Sequence, residues 1–277
     1  MNREISRPNL ETPKAPALPT WLRSSLTTLA FTAGSLGIIV GVWMIVRAFV
    51  GTDLPSPTAT VIVFWELIKN PFHYGGPNDQ GVGLLLLSSL QRVGLGWFLG
   101  AIVAVPLGIL MGSVKFIHRL VNPIVQVLRP VSPLAWYPLA LVAIKSAPNA
   151  LVFVIFITSL WPTVINTYFG VAAVPKDFQN VAKVFNFSSD RYVRRVLLPF
   201  ALPHIVTGLR VSLGIAWMVI VAAEMLSGAS GIGFFAWDSY NALSYEKVIS
   251  AIALIGLTGL LFDKGFDWLS RKVSYGA

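Results

Sequence analysis

The stretch DFQNVAKVFNFSSDRYVRRVLLP, residues 177–199, differs from everything on either side of it. It carries Asp177, Lys183, Asp190, Arg191, Arg194 and Arg195, with Lys176 just ahead. Its apolar residues are spaced for short amphipathic helices, and Ser188 or Ser189 is a suitable N-cap for the second of them. Both flanks are apolar: residues 150–171 before it and 203–226 after it, each long enough to cross a bilayer. A charged segment between two such spans belongs at a membrane face, and the rest of the chain is read outward from there.

Composition agrees. The 277 residues are 55% hydrophobic and 12% charged, with a mean hydropathy of +0.70, whereas soluble domains carry about 25% charged residues. The chain contains no cysteine, which excludes disulfides, thiolate metal sites, iron–sulfur clusters and cysteine nucleophiles. His73, His118 and His204 are far apart and form no ligand pair, so neither a metal nor a cofactor is expected. A net charge of +9 on a soluble protein would suggest nucleic acid. On a membrane protein it reports loops at the anionic inner leaflet, and no nucleic-acid partner is expected.

Residues 1–28 read as a disordered cytoplasmic tail with Pro8, Pro13, Pro16 and Pro19. Residues 29–50 read as a first transmembrane helix, too long for a signal peptide, with Gly37 and Gly41 at GxxxG spacing. A loop rich in Pro and Gly covers 51–81. The second apolar block, 82–112, is too long for one straight span, so its first turns should project. The third, 122–144, is interrupted by Pro130, Pro133 and Pro138, and the fourth, 150–171, contains Pro162. Two proline-broken helices in succession point to a cavity or moving parts, or to plain kinks. After the fifth span comes a loop, 227–247, rich in Gly and aromatics, then a sixth span, 248–262, and a basic tail. The expected fold class is an all-α membrane protein of about six transmembrane helices.

Six spans put both termini on one side. If that side is cytoplasmic, its tails and loops carry four, two, five and three Lys and Arg residues, fourteen in all, against three outside (Lys69, Lys145, Lys247). The positive-inside rule then places both termini in the cytoplasm.

The sequence lacks a GxxxxGK[ST] loop and the HExxH and GxSxG motifs, which argues against an ATPase, a metalloprotease or a serine hydrolase of those types. Residues 231–236, GIGFFA, match GxGxxA formally but without the strand–helix context of a dinucleotide site.

The charged loop resembles the cytoplasmic loop of ABC importer permeases, whose pattern is EAA, a following G, then LP. Here Asn180-Val181-Ala182 stand for EAA, Asn186 for the glycine, and Leu198-Pro199 for LP. Asn180 departs from the acidic residue, and Asn186 is a residue that tolerates the left-handed turn. The likeness extends over about residues 85–269. Within the group it is nearest to the nitrate, sulfonate and taurine permeases, and there to the nitrate and bicarbonate permeases of cyanobacteria. LRPVSPLAW (128–136), WPTVINT (161–167), GIAWMVIVAAEML (214–226) and GIGFFAWD (231–238) carry it. The resemblance implies a type I ABC importer permease domain over residues 82–270 with its coupling loop at 172–202, in the bacterial inner membrane. It also implies a second copy, two ATPase subunits, a periplasmic or lipid-anchored binding protein, and a small anion as cargo, nitrate or nitrite ahead of bicarbonate, cyanate or a sulfonate. A secondary transporter acting alone is the alternative, but no internal repeat is visible and Glu224 is the sole acidic residue within these spans.

Particular residues acquire expected roles. Asn180, Val181, Ala182, Phe185 and Asn186 are expected to touch the ATPase. Phe234, Phe235 and Trp237 in the 227–247 loop are expected to meet the binding protein or plug the path, although Trp237 also suits an interfacial anchor. Arg92 and Glu224 are expected at similar heights near the outer face, either paired or snorkelling separately. Arg129 and Arg210, each about 10 Å into its span, are expected either to line the path for an anion or to snorkel to the inner headgroups.

Overall fold

The computed structural model describes residues 20–51, 53–76 and 79–274. The described residues up to Pro57 form one unit and those from Thr58 onward a second. In the first, helix α1 spans Thr20–Val50. The expected tail therefore ends sooner: after Pro19 no proline or glycine interrupts the chain until Gly34, so residues 20–28 join the helix. The remainder of that tail lies outside the described residues. Gly37 and Gly41 meet no packing neighbour within this unit. Trp43 donates its indole N–H to the Pro55 carbonyl at 3.2 Å.

The stretch expected as a plain loop over 51–81 holds helix α2 (Pro57–Lys69) and a small antiparallel hairpin, β1 (Tyr74–Gly76) and β2 (Asp79–Gln80). Pro57 pre-sets the first turn of α2, and the run Val61–Ile62–Val63–Phe64–Trp65 continues it.

Helix α3 (Val82–Ser113) takes the whole second apolar block. The third block folds as two helices. α4 (Lys115–Leu128) and the segment of a short 3-10 turn (Pro133–Trp136) with α5 (Tyr137–Ile144) meet at 93°. Pro130 and Pro133 bracket the break and deny it helical continuity, whereas Pro138 sits in the first turn of α5, where a missing N–H costs nothing. The fourth block is not broken: α6 (Ala147–Ala172) runs through Pro162. The charged stretch forms α7 (Lys176–Val184), α8 (Ser189–Tyr192), and a π turn (Val193–Leu197) leading into α9 (Leu198–Ser227). The loop expected at 227–247 holds a helix, α10 (Ile232–Asn241). The last helix, α11 (Tyr245–Ser274), outruns the expected span and carries Asp263 and Asp267 within it, so Glu224 is not the only acidic residue in these helices. Five helices among the described residues are long and apolar enough to cross a membrane, six if the bent pair counts as one span.

Within the second unit, α6 is the central helix, packed between α3 and α9. Between lipid-soluble helices close contact rather than water exclusion supplies the attraction. The α3–α6 seam shows how: a methyl added at Gly96, Gly100 or Gly108 would meet Val152, Ser159 or Thr167 at 2.6, 2.9 or 2.6 Å. Two indoles tie the helices further. Trp97 donates to the Leu209 carbonyl at 3.1 Å and to Ser212 Oγ at 3.0 Å, and Trp217 donates to the Ile255 carbonyl at 3.0 Å. The α7 and α10 segments lie at opposite ends of α9, whose 30 residues make it roughly 45 Å long.

Candidate coupling loop and translocation path

Helix α7 begins after Pro175 and ends at a left-handed residue, Asn186, with φ of 51°. The Asn186 N–H donates to Lys183 O at 3.0 Å and the Phe187 N–H to Ala182 O at 2.9 Å. This is a Schellman ending, with Asn186 in the place glycine most often takes. Asn180, Val181, Phe185 and Asn186 are exposed. Ala182 is different. It is 5% exposed and faces its own chain, so the contact expected there with an ATPase is corrected: small size at this position lets α7 seat on the helices beneath. A cavity of about 520 Å³ remains under α7, lined by Gly112, Val114, Lys183, Phe187 and Tyr192 among others.

Of the two arginines expected on a path, Arg129 caps the C-terminal end of α4 at the 93° break. It borders two cavities of about 280 and 290 Å³ and is the one charged residue lining either. Asn122, Gln126 and Tyr168 line the first, and Thr158, Trp161 and Asn166 the second. No ion pair is formed by Arg129 among the described residues. Arg210 has a different setting. Its Nε donates to Asp263 at 3.2 Å and its Nη1 donates to Asp267, so two carboxylates of α11 already neutralise it. Val211 and Ile215 face the Arg129 cavity and lie about 100° and 140° around α9 from Arg210. Arg210 thus ties α9 to α11.

Arg92 and Glu224 come together. Arg92 Nη1 donates to Glu224 Oε1 at 2.7 Å and to the Ser230 carbonyl at 2.6 Å. Glu224 is 0% exposed, which rules out separate snorkelling. The Ser89 hydroxyl lies 2.9 and 2.8 Å from the two carboxylate oxygens and accepts from the Ile232 N–H at 3.0 Å. The Gly233 N–H donates to Glu224 Oε2 at 3.0 Å. The carboxylate and the serine therefore satisfy two of the N-terminal donors of α10, whose own cap residue, Gly231, offers no side chain.

That arrangement explains the glycines of GIGFFA. A methyl at Gly231 would overlap the Glu224 carboxylate, and one at Gly233 the Val221 backbone. The segment does open a helix, but the glycines admit a neighbouring carboxylate and backbone. The aromatic surface also shifts. Phe235 packs against the buried core and Phe234 is half-buried. Trp237, 46% exposed, stacks on Tyr240, 50% exposed, with ring centroids 5.7 Å apart.

Residues 104–275 match the family described as binding-protein-dependent transport system inner membrane component. The chain belongs to that family. The nitrate import permease protein NrtB of Synechocystis sp. is 44% identical over 241 residues, 87% of this chain and 88% of its own. The bicarbonate transport system permease protein CmpB of Synechococcus elongatus is 42% identical over 244 residues, 87% of each. Among solved structures, the inward-facing MetNI methionine ABC transporter matches 69% of this chain and 95% of its own, with a TM-score of 0.63 at 19% identity. An amino acid ABC transporter matches 77% and 97%, with a TM-score of 0.60 at 17% identity. These establish the type I importer permease fold, and the family is one of multi-pass inner-membrane components.

For this family member, reading the sequence missed Ser89, Asp263, Asp267 and the α3 seam. The seam had a signal: glycine or alanine recurs every four residues at 96, 100, 104, 108 and 112. The two aspartates, at i and i+4 on the same helix face, had one in their spacing. Nothing in the spacing around Ser89 marks it.

Proposed function

We propose that this chain is the pore-forming, non-catalytic subunit of an ATP-driven importer for a small inorganic anion, nitrate or nitrite first. The observation that carries the reading is the 44% identity, across 87% of the chain, to a protein named a nitrate import permease. Relatives named bicarbonate permeases stand at 42%, which makes bicarbonate the second reading. Hydrolysis belongs to two ATPase subunits that grip the exposed face of α7: Asn180, Val181, Phe185 and Asn186 touch them directly, and Ala182 seats the helix. A second copy completes the path. Both termini are cytoplasmic, as fourteen against three basic residues favour. A binding protein then delivers cargo at the α10 end, where Trp237 and Tyr240 are exposed.

The path runs beside Arg129. A lone guanidinium between two largely apolar cavities offsets the desolvation of a small anion without holding it tightly, as conduction requires. The test is uptake of labelled nitrate by the reconstituted complex, with unlabelled nitrite or bicarbonate as competitor. Nitrate uptake that nitrite reduces and bicarbonate leaves intact is the expected result. Bicarbonate uptake without nitrate uptake would replace the first reading with the second.

A further inference from the structure

The knot at Ser89, Arg92 and Glu224 does more than neutralise a buried charge. Each of its members reaches α10 or the turn before it. Arg92 holds the Ser230 carbonyl, Ser89 accepts the Ile232 N–H, and Glu224 accepts the Gly233 N–H. Gly231 leaves no room for a side chain between the α10 entry and the Glu224 carboxylate, and Gly233 none between α10 and the Val221 backbone of α9. The entry of α10 is thus bound to α3 through Ser89 and Arg92 and to α9 through Glu224, in a site from which Glu224 is wholly withdrawn from solvent.

A carboxylate buried this way is hard to separate from its partners, because any parting strands a charge. Movement of α10 therefore carries the ends of α3 and α9 along with it. The other end of α9 runs without a break in the chain's helical path into the π turn Val193–Leu197 and α8, beside α7. π turns are rare inside helices and gather at functional sites. The cavity of about 520 Å³ under α7 gives that end room to shift. The helix α9 therefore has a locked joint at the α10 end and a π turn over a cavity at the α7 end.

We propose that Ser89, Arg92 and Glu224 are positioning residues for import: they lock α10 to α9 so that docking of the binding protein on α10 is transmitted along α9 to the ATPase loop. This rests on the importer reading above. None of the three touches cargo on this account. Their effect is on coupling, not on passage itself.

The test uses the reconstituted complex and reads binding-protein-stimulated ATP hydrolysis relative to the basal rate. Two variants separate transmission from folding. Arg92→Met combined with Glu224→Leu removes both charges and fills the space, an exchange that buried ion pairs commonly survive without loss of stability. Glu224→Gln keeps the shape and one acceptor. The expected result is assembly, melting temperature and basal hydrolysis like the parent, with stimulation reduced about ten-fold in the double variant and less in Glu224→Gln. If the double variant fails to assemble, Glu224→Gln decides on the same ratio. Stimulation equal to the parent in the assembled variants overturns the lock alone. A parent complex whose hydrolysis ignores the binding protein overturns the importer reading itself.

Discussion

At the scale of single residues, the structure separates side chains that looked equivalent in the sequence. By sequence Arg129 and Arg210 are each seven residues into an expected span, yet one borders two cavities and the other holds two aspartates. Arg129→Ala is therefore expected to cut uptake about ten-fold while ATP hydrolysis and assembly persist, and Arg129→Lys to restore part of it. Arg210→Ala is expected to leave anion preference unchanged and to lower the melting temperature of the complex, by the equivalent of about 1 kcal/mol, as two half-exposed ion pairs are lost. Uptake assays with competing anions and thermal melts distinguish the two outcomes. Ala182→Asp forces a carboxylate between α7 and its own bundle, at a cost of roughly 3 kcal/mol if it stays charged. Membrane insertion should persist and stimulated hydrolysis should vanish. A coupled, stable Ala182→Asp complex would contradict the burial of this position.

At the scale of elements, the turn after α7 was legible, because the sequence required a residue tolerant of positive φ at 186 and asparagine is one. Asn186→Gly is expected to leave the melting temperature unchanged or raised, and Asn186→Val to cost about 1–2 kcal/mol, since a β-branched residue resists that conformation. Long apolar helices were legible too, from run length alone. Helix α10 was not. The glycines at 231 and 233 imitate a loop, and its cap comes from side chains of other helices, Glu224 only nine residues before Gly233 but Ser89 far away in sequence. Neither was the 93° break at residues 129–132, since prolines signal an interruption but not its angle. The α3–α6 seam yields a further prediction: Gly100→Ala places a methyl 2.9 Å from the Ser159 Cβ and must part the helices. The expected loss is about 1–3 kcal/mol, seen as a lower melting temperature.

At the scale of the whole molecule, two ends of one bundle carry different chemistry. The α10 end is aromatic on its surface and locked by a buried charge pair. The α7 end is charged, presents exposed Val181 and Phe185, and rests over a cavity. Between them lie the long apolar helices, and the sequence contains no GxxxxGK[ST] motif. This division suits the ATPase-driven pore proposed above, and the sequence disclosed it through the contrast of residues 177–199 with their apolar flanks. The most direct test is labelled nitrate uptake into proteoliposomes with ATP enclosed on the α7 side and binding protein on the α10 side. The permease with its ATPase partner is expected to accumulate nitrate only when ATP is present, and the permease alone to accumulate none. Accumulation by the permease alone, driven by an ion gradient and indifferent to ATP, would contradict the account.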